Sequence, residues 1–174
     1  MESTEQPNSD QPRKQALVFM PKGGWNDEYY RQLIQPRLEA ADYACRRGKA
    51  LYSNCDPRDE IIEAIRQANV VICWMIGRDP DVIYALDVAQ ALETLIVFIT
   101  SSNEIEDIPI GTRGYSWIEV QQANPRWGEL VGAQLVRTLA GIPRSWSTSE
   151  DRLKGSGFSA SEGVPYCIKE SDST

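Results

Sequence analysis

A strand–turn–helix–strand unit between Val70 and Thr100 constrains this chain more than any other feature. Val70-Val71-Ile72-Cys73-Trp74-Met75-Ile76 is its most apolar run. The run has no polar–apolar alternation, the pattern of a strand covered by helices on both faces. Gly77-Arg78-Asp79-Pro80-Asp81 follows as a helix start, with Asp79 as N-cap, Pro80 at the first helical position and an acid in the first turn. The spacing predicts a helix to about Glu93 with Val82, Leu86, Ala89 and Leu92 turned inward, and Leu95–Thr100 returns as the next strand. Two buried strands joined by a helix pair in parallel through a crossover.

The rest of the chain repeats that rhythm. Ala16-Leu17-Val18-Phe19-Met20 reads as a buried strand ending at Pro21, and Lys22-Gly23-Gly24-Trp25-Asn26 as a Gly-rich turn. From Asp27 to Arg47, apolar residues at Tyr30, Leu33, Ile34, Leu38, Ala41 and Ala44 keep helical spacing, with Pro36 expected to kink or re-cap the helix. Ala50-Leu51-Tyr52 reads as a short second strand. Asp56-Pro57 opens a helix whose buried stripe is Ile61, Ile62, Ile65 and Ala68. Residues 101–113 read as a loop, Tyr115–Val120 as a fifth strand and Trp127–Leu139 as a last amphipathic helix. Residues 1–15 read as a disordered arm and 143–174 as a mostly disordered tail, which leaves 16–142 as one domain. The expected fold is α/β: three layers, flavodoxin-like, around a five-stranded parallel sheet of order 2-1-3-4-5. Ligand sites in such sheets lie beyond the carboxyl ends of the strands at the β1/β3 switch point, where the loops Pro21–Asn26, Ser53–Asp56 and Ile76–Asp81 should meet.

Composition narrows the function. The 174 residues contain no histidine, which excludes Ser-His-Asp and Cys-His nucleophile systems and the common zinc sites. No resident cofactor or metal is expected. A net charge of −7 without a basic run excludes phosphate-driven binding of nucleic acid and leaves room for a small anionic ligand. The polar N-terminus has no secretory h-region, no run is long enough for a membrane span, and Cys45, Cys55, Cys73 and Cys167 form no CxxC pair. These features suit a reducing, cytoplasmic setting.

Several motifs also resemble the nucleoside 2-deoxyribosyltransferase-like proteins and the related TIR-like (Toll/interleukin-1 receptor-like) domains. They are Val18-Phe19-Met20-Pro21 with its following glycines, Tyr30…Ile34-Gln35-Pro36, Glu60-Ile61-Ile62…Ile65…Ala68-Asn69, and above all Gly77-Arg78-Asp79-Pro80-Asp81-Val82-Ile83-Tyr84-Ala85-Leu86 with Ala89 and Ala91. The resemblance spans residues 16–142. It implies cleavage or transfer of N-glycosidic bonds, or nucleotide binding in signalling. Such proteins typically carry a catalytic glutamate just after the tyrosine. This chain has Ala85 there, Trp74 where an aspartate often ends the third strand, and Asp87 in place of a glycine. The implied protein is a catalytically degraded binding domain, a pseudoenzyme acting as a sensor or regulatory module.

The expected ligand-binding residues are Gly23, Gly24, Trp25, Trp74, Gly77, Arg78, Asp81 and Tyr84. The glycines would let backbone amides approach a phosphate or sugar, the indoles would stack on a base, and Arg78 would meet an anion. Each has a plainer role as well: an ordinary βα turn, core packing for Trp74, a solvated loop arginine, an acid at a helix N-terminus for Asp81. Oxocarbenium-like chemistry needs a carboxylate beneath the sugar, and Asp81, one turn before Ala85 on the same helix face, is the catalytic candidate should activity persist. Whether the chain is an enzyme is left open. The expected partner is a nucleoside, nucleotide or NAD-like molecule. A protein partner or homo-oligomer is the alternative for an interaction module in signalling or defence.

Overall fold

A computed structural model gives the architecture of the chain and describes residues 13–48, 57–101 and 116–142. Five strands form one all-parallel sheet: β1 (Lys14–Phe19), β2 (Tyr43–Arg47), β3 (Val70–Trp74), β4 (Ile96–Ser101) and β5 (Ser116–Val120). Their order is β2-β1-β3-β4-β5, the flavodoxin-like arrangement. Helices α3 (Pro57–Gln67) and α4 (Pro80–Ala91) cover one face. Helices α1 (Trp25–Tyr29), α2 (Gln35–Ala40) and α5 (Trp127–Ala140) cover the other.

The central strands follow from their sequence. All five residues of β3 are buried, and each strand face packs under a helical layer. Ala16, Val18, Ile72, Trp74, Val97 and Ile99 point into the α1/α2/α5 layer. Leu17, Phe19, Val71, Cys73, Ile96 and Phe98 point into the α3/α4 layer. The period of two along each strand assigns these sides.

The first helical segment is not uniform. α1 runs into a single π-turn (Tyr30–Ile34) and then into α2, with the Gln35 N–H reaching back five residues to the Tyr30 carbonyl. Pro36 is the cause the sequence offers. Its ring has no N–H to give and would crowd the carbonyl four residues earlier, and one widened turn removes that conflict without ending the helix. The expected kink is therefore realised as a π-turn.

Two boundaries differ from the sequence expectation. β1 begins at Lys14, because Lys14 and Gln15 pair with Tyr43 and Ala44. β2 is Tyr43–Arg47, inside the stretch expected to be helical. The helix stops at Ala40, and Asp42 turns the chain with φ 63°. Ala41 caps the end of α2, and Ala44, a helix former by propensity, lies in β2 because pairing with β1 overrides local preference. Only Tyr43 is buried in β2. The strand is followed by buried Gly48, where an added Cβ would lie 2.5 Å from Phe19 Cδ1, so the Phe19 ring fills the side-chain space. The strand expected at Ala50-Leu51-Tyr52, the Ser53–Asp56 loop, most of the 101–113 loop and the 143–174 tail lie outside the described residues, as does the arm up to residue 12. Among the described residues, no helix is long and apolar enough to cross a membrane.

Candidate functional site

The crossovers leaving β1 and β3 pass to opposite faces of the sheet, so a crevice opens between the carboxyl ends of these neighbouring strands. Two turns line it. The first, after β1, holds Gly23 at φ 85° and Gly24 at φ 55°, ψ −131°, backbone shapes that a side chain opposes. The second, after β3, holds Gly77 at φ 85° and Arg78 at φ 48° and is closed by the Arg78 N–H to the Met75 carbonyl at 3.1 Å. A Cβ built on Gly23, Gly24 or Gly77 meets nothing within 4 Å. Backbone conformation, not crowding, calls for glycine there, and the space above both turns is open.

One ion pair ties the turns together. Lys22 Nζ lies 3.0 Å from Asp81 Oδ2, both side chains about half exposed. Asp81 thus sits at the crevice, in the first turn of α4. Asp79 is the N-cap of that helix: its Oδ1 accepts the Asp81 N–H at 2.9 Å, and its carbonyl accepts from Val82 and Ile83. The sequence assigned Asp79 this capping role.

The other expected residues lie at the rim and in the two core layers. Trp25, the first residue of α1, is 78% exposed beside the glycine turn. Trp74 is 3% exposed and faces the α1/α5 side. It stacks on Tyr29 with ring centroids 6.0 Å apart, and Trp127 closes the group edge-on to Tyr29 at 4.8 Å. Tyr84 is half-buried against the α3/α4 layer, and Ala85 in the same layer is completely buried. The sheet therefore separates Trp74 from Ala85. The structure brings Gly23, Gly24, Trp25, Gly77, Arg78 and Asp81 to one rim; it packs Trp74 below that rim as core and leaves Ala85 under α4.

Burial alone pushes the Cys73 thiol up to about 12, so it is an inert core group. Burial also raises Cys45 and Tyr30, whose sulfur and hydroxyl are hydrogen bonded at 3.3 Å. Neither is poised as a nucleophile or base. Among the described residues, no cluster of three or more His, Cys, Asp or Glu could hold a metal.

Sequence reasoning missed Tyr29, the packing of Trp127 on it, and Arg47. Tyr29 and Trp127 complete the aromatic group, 98 residues apart (127 − 29) and joined only by the α1–α5 packing. Arg47 lies at the carboxyl end of β2, a position hidden by the helical reading of that segment. Compared with models of protein families and with curated proteins, the chain matches none.

Proposed function

We propose that this chain is a nucleoside- or nucleotide-binding domain that works as a sensor or regulatory module, its ligand lying over the Gly23-Gly24 and Gly77-Arg78 turns. The observation that carries this reading is the open switch-point rim, where three positive-φ glycines have free space above them. Backbone amides at such turns suit phosphate or sugar oxygens. The exposed Trp25 indole offers a face for a base, and Lys22 supplies charge. The resemblance to deoxyribosyltransferase-like and TIR-like domains favours a nucleoside, a nucleotide or an NAD-like molecule over other small anions.

The reading is non-catalytic because of Ala85 and Asp81. Ala85 presents no carboxylate and has no exposed surface. The Asp81 carboxylate is half exposed and its Oδ2 is engaged by Lys22, an ion pair that would have to break before the group could lie beneath a sugar. Calorimetry and thermal shift with nucleosides, NAD, ADP-ribose and cyclic nucleotides test the proposal. A ligand at about 100 times its dissociation constant adds about 2.7 kcal/mol of stability. At least one member should bind, and Trp25→Ala should weaken it. Absence of binding across the panel refutes the reading. Release of free base from NAD or a deoxynucleoside, abolished by Asp81→Asn, would replace it with an N-glycosidase.

A further inference from the structure

The glycine turn is held from two sides. Lys22 and Asp81 hold it on the α4 side. On the other side stands Arg47, the last residue of edge strand β2, with 11% of its side chain exposed. Its Nη2 donates to the Pro21 carbonyl at 3.0 Å. Its Nη1 pairs with Asp27 Oδ1 at 2.5 Å. The guanidinium also lies 5.3 Å from the centroid of the Tyr30 ring, and the Tyr30 hydroxyl is bonded back to Cys45 Sγ on β2. One side chain thus grips the backbone just before the Gly23-Gly24-Trp25 segment and the helix side chain just after it.

We propose that Arg47 is the positioning residue of the switch-point site, fixing the Gly23–Trp25 segment in the shape a ligand meets without touching that ligand. The inference deepens the nucleotide-binding reading and rests on it for its functional meaning. Arginine chemistry suits the task. Two acceptors from different parts of the chain, a carbonyl and a carboxylate, are met together by the two arms of a rigid planar fork; a lysine ammonium is a single point on a flexible stem. The arrangement also leaves the Arg47 Nε–H buried without a hydrogen-bond partner. That orphan donor follows from aiming both terminal nitrogens at their acceptors. The segment between the two grips holds Gly23 and Gly24 at positive φ and the exposed Trp25. Without the grips, the glycines would make it the loosest part of the rim.

Backbone 15N relaxation on the full chain tests this without any ligand. In the wild type, the Gly23, Gly24 and Trp25 amides should show order parameters near the rigid value of about 0.85, and in Arg47→Lys they should fall below about 0.6. Val70–Trp74 should not change. The thermal midpoint of Arg47→Lys should fall only modestly, because the Pro21 bond and the Tyr30 contact are lost while a charge stays beside Asp27. Arg47→Met extends the series, and should it fail to fold, Arg47→Lys carries the test. A segment that stays rigid in Arg47→Lys overturns the proposal, as does a loss of order shared equally by β3. ADP-ribose titration adds a second arm. If the wild type binds it, Arg47→Lys should bind about tenfold more weakly at a temperature where both proteins are fully folded, and equal affinity overturns the positioning role. If the wild type does not bind ADP-ribose, that counts against this nucleotide as ligand, and the relaxation arm alone decides the role of Arg47.

Discussion

Restoring the glutamate that the resemblance leads one to expect should unfold the domain rather than activate it. Ala85 is completely buried in the layer formed by α3, α4 and the sheet, in the same core cluster as Leu17, Phe19 and Phe98. In Ala85→Glu the new carboxyl would enter that layer and stay protonated. The unfolded chain would ionise it near the ordinary glutamate value of about 4.3. At pH 7 that difference spans about 2.7 pH units, and at about 1.36 kcal/mol per unit it costs about 4 kcal/mol. Overpacking adds about 1–3 kcal/mol. The sum rivals the roughly 5–15 kcal/mol that holds a domain folded. The sign is definite: a carboxyl whose folded pKa lies above its unfolded one loses stability as pH rises past the unfolded value. At pH 5 the ionisation part shrinks to about 1 kcal/mol. Urea unfolding of Ala85→Glu and wild type, followed by circular dichroism at both pH values, gives the difference directly. A variant with the wild-type midpoint at pH 5 and pH 7 would refute the reasoning, since it would place residue 85 in contact with water. N-glycosidase activity in that variant would then reopen the enzymatic alternative.

Three further outcomes follow from the same packing. Trp74→Ala should cost about 3–5 kcal/mol in urea unfolding and flatten the near-ultraviolet dichroism of the Tyr29–Trp74–Trp127 group; a loss under about 1 kcal/mol would deny Trp74 its core role. Asp79→Ala should cost about 1 kcal/mol by removing the cap on the Asp81 N–H, while Asp79→Asn retains most of that stability. Cys73 should resist dithiobis(nitrobenzoate) in the folded protein at pH 8. Its thiol is raised by burial, so the unfolded thiol ionises first and stability should fall as pH climbs above about 9, a slope that Cys73→Ala reduces and that Cys45 and Tyr30, also raised by burial, share. Rapid labelling of native Cys73, or an unchanged slope in the alanine variant, would contradict its burial.

Much of this architecture could be read from local signals. Val70–Trp74 and Ile96–Ser101 are strands because a run of large apolar residues, too short for a helix and without alternation, can be satisfied only between two covering layers. Asp79-Pro80 starts α4 because a short acid accepts a free N–H and a proline needs none. The sheet order followed from strands alternating with helices. The strand runs and the helix cap rest on residues close together in the chain, so the sequence by itself determined them, whereas the order joins strands as far apart as Ala16 and Val70 and followed from the general rule for such alternation. Tertiary structure decided the rest. Tyr43–Arg47 became an edge strand because Lys14–Val18 offers it a ladder, which no local pattern records. Trp74 and Ala85 are only 11 positions apart (85 − 74), yet the sheet lies between them, so a motif that looked like one pocket is two core sites. Arg47 reaches Pro21 and Asp27 across 26 and 20 residues, and only the side-by-side pairing of β1 and β2 brings them within its span.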